Sequence, residues 1–496
     1  MGKSLKKWTT VALSFAVACA AALPMTAFAA EGDVAEVDGT GYQTVQAAID
    51  AADGKTVILL ADTQENVTIA KDTTITLDLG TFTLTNKDAK HTITNQGTLK
   101  VVGTGKVDNV NHGQAALWNE GVANLNGGTF DRSKDAGTSA DTSNNNSYYT
   151  IVNHGTMTIN DGVTVQQPGK YSSLLENGWY NGAQNTSGEP SVLTVKGGTF
   201  TGGLNTIKND DYGQLTIEGG TFTNVAQAAL LNWNEAEISG GTFKVDEGAP
   251  YVVLNGYLDD TMDQGQLTIT DGTFTGGEDT IALATMGGSA NSGAVEIAGG
   301  RFDGDIVLQG TQAGGLLEIA DEAVINGDVT NGGLDEVVIS GGTVSGAVAN
   351  NGEGTLGITG GTFAQQPDSA LIDEDSAVVG YTPKQGDKAF YVGAGAIRAL
   401  SEKVAAGDAL DVLQGDLELT IDAAGVKVVN SGKGTVKVND EMVTDEGYVT
   451  PEKEDDTTDD DDITDTGSSL ELVMFAAVLL LAAGAAVLFF RKKSAA

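Results

Sequence analysis

A tetrapeptide, Gly-Gly-Thr-Phe, recurs through the middle of the chain, each time just after a short segment in which apolar and polar residues alternate. The instances end at Phe130, Phe200, Phe222, Phe243, Phe274, Phe302, Val344 and Phe363, with gaps of 70, 22, 21, 31, 28, 42 and 19 residues. Most gaps are one turn of about 21 residues, a small multiple of it, or one turn with an insertion, which is the period of a β-solenoid coil. Leucine-rich repeats share that length but space their leucines differently, and tetratricopeptide and ankyrin repeats are longer and helical.

Each unit carries apolar residues two apart, as in Leu193/Val195, Leu215/Ile217, Ala236/Ile238, Leu267/Ile269, Val295/Ile297, Val337/Ile339 and Leu356/Ile358. That alternation belongs to a strand with one buried face. The paired glycines after it permit the positive φ of a sharp corner, and the phenylalanine follows on the next short strand. Four residues before the first apolar position stands Asn95, Asn119, Asn153, Asp211, Asn232, Asp263 or Asn291. Stacked coils place these side chains above one another as an amide ladder along a turn.

This pattern resembles the right-handed parallel β-helix of the pectate-lyase-like superfamily, over about residues 40 to 380. The segment Tyr42 to Ala52 is similar to the short amphipathic helix that caps the first coil there, with Thr56 to Leu60 as the first strand. A cap is physically required because an open solenoid end exposes unpaired strand edges. At about 21 to 24 residues per coil the region holds roughly 14 to 16 coils, a rod of about 70 Å at a ~4.8 Å strand spacing. The expected fold class is therefore all-β: a right-handed parallel β-helix with a short capping helix, a small C-terminal β-rich cap and one C-terminal transmembrane helix. Within it, residues 30–55 form the N-terminal cap, 56–380 the β-helix repeats, and 381–450 a C-terminal cap or small β-rich module. In that last segment Ile397 to Ala406 reads as a helix ended by Gly407, followed by strands at Leu410 to Leu413 and Leu417 to Ile421.

The ends read as an address. Lys3, Lys6 and Lys7 precede an apolar run from Trp8 to Leu23, and Ala27-Phe28-Ala29 offers a small-x-small cleavage pattern, so residues 1–29 are expected to be a secretory signal peptide. A lipoprotein reading centred on Cys19 is weakened by Ala16 and by the apolar Ala20 to Leu23. Cys19 is the sole cysteine, so the mature chain has neither disulfides nor thiolate-ligated metals. At the other end, residues 472–490 are uncharged and long enough to span a bilayer, and residues 491–496 begin with Arg491, Lys492 and Lys493. The positive-inside rule then places this tail in the cytoplasm and the rest of the chain outside.

Immediately upstream stands Ile463-Thr464-Asp465-Thr466-Gly467. Together with the apolar helix and basic tail it resembles the sortase cell-wall sorting signal of Gram-positive bacteria, except that Thr464 stands where that family has proline. The resemblance implies cleavage between Thr466 and Gly467 and linkage to peptidoglycan. Residues 451–467 combine this motif with a run of aspartates and threonines that cannot bury a core and reads as an acidic, disordered stalk. The expected location is the extracellular surface, either wall-anchored or held by a single membrane span.

Charge narrows the partners. With 27 basic and 67 acidic residues the chain carries a net charge of −40. Nucleic acid and anionic lipid surfaces are excluded as partners, because binding them needs clustered lysine and arginine. No cofactor is expected beyond weak binding of calcium by the carboxylate excess.

The superfamily houses polysaccharide lyases and hydrolases, and Asp210-Asp211 resembles the paired aspartates of polygalacturonases. Their histidine and arginine-lysine partners have no counterpart, since His91, His112 and His154 all precede Asp210. Asp211 also falls on the ladder position, which favours a structural turn. Arg301, beside Asp303 and Asp305, reads as a local ion pair. His112 and His154 each sit in Asn-His-Gly, a spacing that could bring them onto one turn of neighbouring coils. No catalytic or metal-ligating set is assigned.

Aromatic residues off the repeat are more informative. Trp118, Trp179, Tyr180 and Trp233 are the candidate glycan contacts, accompanied by Tyr148, Tyr149, Tyr171, Tyr251 and Tyr257, with Asn119, Glu120, Asn177, Asn181, Asn234 and Glu235 nearby. Flat rings stack on sugar faces while amides bond hydroxyls. The alternative is that these rings simply anchor loops to the solenoid. The expected function is a non-enzymatic adhesin or glycan-binding display protein whose partner is a host or dietary glycan or a matrix protein. A wall-attached polysaccharide lyase or glycoside hydrolase is the second reading, and a structural spacer the third.

Overall fold

The computed structural model describes residues 32–452, apart from 138–146, 247, 259–263, 278 and 321. The expected signal peptide (1–29), most of the stalk, Thr466-Gly467, the apolar segment 472–490 and the basic tail lie outside the described residues. Among the described residues no helix is long and apolar enough to cross a membrane.

The chain is all-β, built from long ladders of parallel strands stacked coil upon coil, an arrangement compatible with a β-helix solenoid. Every coil contributes up to three short strands. A first ladder runs from Lys55–Leu59 through Thr74–Asp78 and Thr98–Val102 to Thr355–Ile358. A second runs from Thr63–Gln64 to Gly361–Phe363 and carries the phenylalanines. The third is a 12-stranded sheet from Val67–Ile69 to Val348–Asn350. Alternation fixes which side chains enter the core. In Gly213–Ile217, Leu215 and Ile217 are buried while Gln214 is exposed and Thr216 partly so.

Two side-chain stacks lock the coils in register. Phe200, Phe222, Phe243, Phe274 and Phe302 lie face to face, with successive ring centroids 4.8, 4.6, 4.8 and 4.6 Å apart. The corner glycine before each ring is restricted by its backbone: Gly241 has φ of 104°, a conformation in which a side chain is strained, and a Cβ there would already touch the rings of Phe222 and Phe243. On the third ladder, Asn95, Asn119, Asn153, Asn177, Asn209, Asn232 and Asn255 form a continuous amide chain. Each Nδ2 donates to the Oδ1 of the next at 2.7–2.8 Å.

The ladder corrects part of the sequence reading. Asn209, not Asp211, holds the ladder position in its coil, and Asn255 and Thr285 take the places assigned to Asp263 and Asn291. Asp263 itself lies outside the described residues. Counting four residues back from the next apolar pair fails where the turn is lengthened, and the turns after Asn177, Asn209, Asn255 and Thr285 are all longer. The coil count also falls short of expectation, at 12 strands in the third sheet. The 70-residue gap between Phe130 and Phe200 holds a single intermediate coil, with Val165 pairing with both phenylalanines. Inserted loops, not additional coils, take up the rest.

Both ends are covered. At the start, Ala35–Val37 pairs antiparallel with Thr40–Tyr42 and with the first strand, and the helix Val45–Asp50 buries Val45, Ala48 and Ile49. Thr44 caps it by accepting the Ala47 N–H at 3.2 Å. The helix is shorter than Tyr42 to Ala52 because a strand occupies the first of those residues. At the far end, Ala389–Val392 pairs antiparallel with Gly361–Phe363, the last second-ladder strand, so the terminal edge is not left open. Beyond it Val378–Thr382, Ala409–Gln414, Lys427–Asn430 and the helix Gly393–Ser401 enclose a separate core of Val379, Ile397, Leu400, Val412 and Val428. The helix begins before Ile397 and ends at Ser401.

Candidate functional site

On each third-ladder strand the residue just before the ladder position points away from the core. Reading along the coils, these residues are Thr94, Trp118, Val152, Glu176, Lys208, Leu231, Leu254 and Ala284. On a bare solenoid they would face solvent. Here Tyr148, Tyr149, Tyr171 and Tyr180, from segments inserted between the strands, stand beside them, leaving a cleft of about 570 Å³. Its walls include Trp118, Tyr148, Tyr149, His154, Tyr180 and Trp233, and its floor includes Glu176, Asn205 and Lys208.

The loops are tied down from below. Arg132 and Asp135 form a fully buried ion pair at 3.2 Å, and Asp135 also accepts the Tyr148 N–H at 3.2 Å. Asp211 accepts the Gly182 N–H at 2.6 Å, and the Trp179 N–H bonds the Asp211 carbonyl at 2.9 Å. Asp211 thus anchors the 178–190 loop, a structural role, though not the ladder role expected of it. Asn181 caps the short helical turn Gly182–Gln184 within that loop.

Aromatic rings run along one side. His91 stacks on Trp118 at 4.5 Å, the His154 ring meets Trp118 edge-on at 4.7 Å, and His154 lies flat on Trp179 at 3.7 Å. Burial drives both His91 and His154 down to a pKa of about 4, so the stack is uncharged at neutral pH. His112 is elsewhere: it precedes its third-ladder strand, whereas His154 follows one, and its Nδ1 accepts the Ser147 N–H at 3.0 Å. The pairing of His112 with His154 is therefore overturned, and His91 is the histidine that shares this array.

At the floor, Lys208 Nζ sits 5.0 Å from the Tyr180 ring centre and 4.5 Å from that of Trp233, and it is ion-paired to the buried Asp210. Its strand neighbour Glu176 is 3% exposed, and its Oε1 has no hydrogen-bond partner among the described residues. Burial, reinforced by Asp210, pushes the Glu176 carboxyl up to about 8, against the opposing pull of Lys208. Burial likewise raises Asp210, with Lys208 pulling the other way. Tyr148 is pushed up to about 12 and Tyr149 well above its ordinary value, mainly by burial, so both phenols stay protonated.

Of the four candidate glycan contacts, Trp118, Tyr180 and Trp233 line the cleft, and Tyr180 is 74% exposed. Trp179 stands one layer behind, covered by His154. Asn119 and Asn177 are spent in the internal ladder and cannot reach a ligand, and Glu120 accepts from Trp118 Nε1 at 3.0 Å. Tyr251 packs against the apolar end of the cleft with Leu231 and Leu254, while Tyr257 bridges to Asn291. Arg301 forms its local ion pair with Asp303 at 2.7 Å. No group of three or more metal-ligating side chains occurs among the described residues.

Glu176, Lys208 and Asn205 were not singled out by the sequence reading. A signal for the first two was present: Leu175-Glu-Asn177 and Ile207-Lys-Asn209 share the frame of Leu117-Trp-Asn119, so the middle residue of each faces outward. Comparison with known proteins gave no match, whether to a family model, a curated protein or a solved structure.

Proposed function

We propose that the protein is a glycan-binding protein displayed on the surface of a Gram-positive bacterium, with a right-handed parallel β-helix related to the pectate-lyase-like superfamily as its rod. One observation carries the binding half. Four buried side-chain polar atoms without partners among the described residues, His154 Nδ1, Glu176 Oε1, Asn205 Oδ1 and Trp233 Nε1, belong to the lining of this cleft. Buried polar groups are normally satisfied, and a cluster left open beside ring faces suits a ligand presenting both hydroxyls and flat apolar faces. Sugars have that composition. The surface half rests on the signal-like first 29 residues, the acidic stalk, the apolar segment 472–490 and the basic tail. Sortase-mediated attachment to peptidoglycan through Thr466 is part of the proposal, as is a host or dietary glycan, or a glycosylated matrix protein, as partner.

The test is the purified ectodomain, residues 30–450, on a broad glycan array, beside Tyr180→Ala and Trp233→Ala. Retention of one glycan class by the parent and its loss in both variants is expected. Retention on no array spot would leave only a spacer role. A polysaccharide lyase or hydrolase is the second reading, favoured by the proton that Glu176 holds near Asp210. Release of reducing ends or unsaturated products from any bound glycan would establish it over simple binding.

A further inference from the structure

We infer that the glycan taken by this cleft carries a free, protonated amino group, and that Glu176 is its counter-ion. The inference rests on the glycan-binding reading and specifies its ligand class. Among the described residues lining the cleft, only Lys208 brings a positive charge at neutral pH. That charge is already matched by Asp210 and covered by the rings of Tyr180 and Trp233. A uronate or sialate carboxylate would find no uncommitted cation there, and would approach a chain of net charge −40.

The complementary ligand group is a cation. Glu176 Oε1 is buried, unpartnered and at the floor, so a ligand must bring a donor to satisfy it. A neutral hydroxyl would supply one hydrogen bond. An ammonium would supply a charge-assisted one, in a site lined by Tyr148, Tyr149, Tyr180 and Trp233 where low effective dielectric strengthens the attraction. The charged groups facing Glu176 are Lys208, Asp210 and Asp211, together with the Tyr180 backbone N–H. Tyr148 and Tyr149 stay neutral. Binding an ammonium requires Glu176 to ionise, so the proton it holds in the free protein leaves to solvent as the ion pair forms. Affinity must then rise with pH below the pKa of the free carboxyl.

Isothermal titration of the ectodomain with linkage-matched oligosaccharides, in amino, N-acetylated and unsubstituted forms, tests this. At pH 7 the amino member of the preferred linkage should bind at least ~10-fold tighter than the other two, about 1.4 kcal/mol. Its affinity should climb by more than ~10-fold between pH 5.5 and 7, close to tenfold per pH unit for release of one proton. Glu176→Gln replaces an already neutral side chain by a neutral isostere, so the variant should fold and should bind the amino and unsubstituted sugars with equal affinity, whatever the change in each. Equal binding of amino and N-acetylated forms would overturn the inference while leaving glycan binding intact. So would an amine preference that survives Glu176→Gln, or one flat with pH, since either marks diffuse attraction to surface carboxylates that are ionised throughout this range. Absence of binding to every sugar defeats the glycan-binding reading itself.

Discussion

Glu176 and Lys208 are direct partners on adjacent third-ladder strands, yet Lys208 gives its charge to Asp210 and leaves Glu176 without a counter-ion. This arrangement makes stability depend on pH in a defined direction. The folded-state pKa of Glu176, about 8, lies above the ordinary 4.5. The folded protein therefore holds this proton more tightly than the unfolded chain. The resulting stabilisation is complete below the ordinary value and is lost as pH rises through about 8. His91 and His154 act oppositely. Their pKa values fall from 6.5 to about 4, so their contribution is present above 6.5 and lost as pH falls through 4. Thermal melting of the ectodomain should show a maximum near pH 6 to 7. Glu176→Gln should flatten the fall between pH 6 and 8.5 and leave the acid limb unchanged; an unaltered alkaline limb would show that Glu176 is ionised in the free protein.

The phenylalanine stack gives a second expectation. Phe243 is fully buried between Phe222 and Phe274. Phe243→Ala removes contacts on both ring faces at a place where the backbone, fixed by parallel ladders on either side, cannot collapse to fill the void. Urea denaturation should show a loss of about 3 to 5 kcal/mol. A loss below about 1 kcal/mol would contradict the stack.

Asn177 tests the ladder differently, because its amide serves four partners. It accepts from Asn153, donates to Asn209 Oδ1 at 2.8 Å, and donates to the carbonyls of Ser191 and Gln214 at 3.2 Å. Asn177→Leu is similar in bulk but leaves buried polar groups open above and below it. At roughly 1 to 3 kcal/mol for each orphaned group, it should cost more than an exposed-site control such as Gln214→Leu, whose effect should stay within about 0.5 kcal/mol. Equal costs would mean that water replaces the amide in the ladder.

How far the sequence disclosed this molecule depends on which residues are asked. Phe222, Phe243 and Phe274 lie 21 and 31 residues apart in a repeat with unmistakable glycine corners, and their stacking was legible because a solenoid places equivalent residues above one another. Asn177 and Asn209 were missed because the ladder was sought by counting back from the next strand, across turns of variable length. Counted forward within its own strand, as apolar-x-Asn, each would have appeared. The same frame would have exposed Glu176 and Lys208 as outward neighbours. That Trp118, Tyr180 and Trp233 lie around one cleft was beyond sequence reasoning. They belong to different coils, and the inserted loop that carries Tyr180, tied down by contacts such as Asp211 with Gly182, brings that ring to the cleft lined by Trp118 and Trp233. The same insertions explain why the coil number was overestimated.

The anchor yields the last expectation, and it follows from the order in which the ends must act. A signal peptide ending near Ala29 would be removed during export, after which residues 472–490 would stop transfer with Arg491, Lys492 and Lys493 held inside. Only then would Thr466 and Gly467 lie just outside the bilayer, within reach of a membrane-bound transpeptidase. Cleavage between them would leave Thr466 joined to the wall, so material released by a peptidoglycan hydrolase should end in Thr466 bearing a cross-bridge fragment. Thr466→Ala should shift the protein to the membrane fraction, where detergent extracts it with Phe490 and Arg491 still attached. If the native chain already behaves in that way, Thr464 in place of proline has removed the bend a sortase needs, and restoring proline by Thr464→Pro should move the protein from membrane to wall. Extraction of the native chain intact by detergent, together with failure of that substitution to relocate it, would refute wall attachment and leave a single-span anchor holding the same cleft outside the cell.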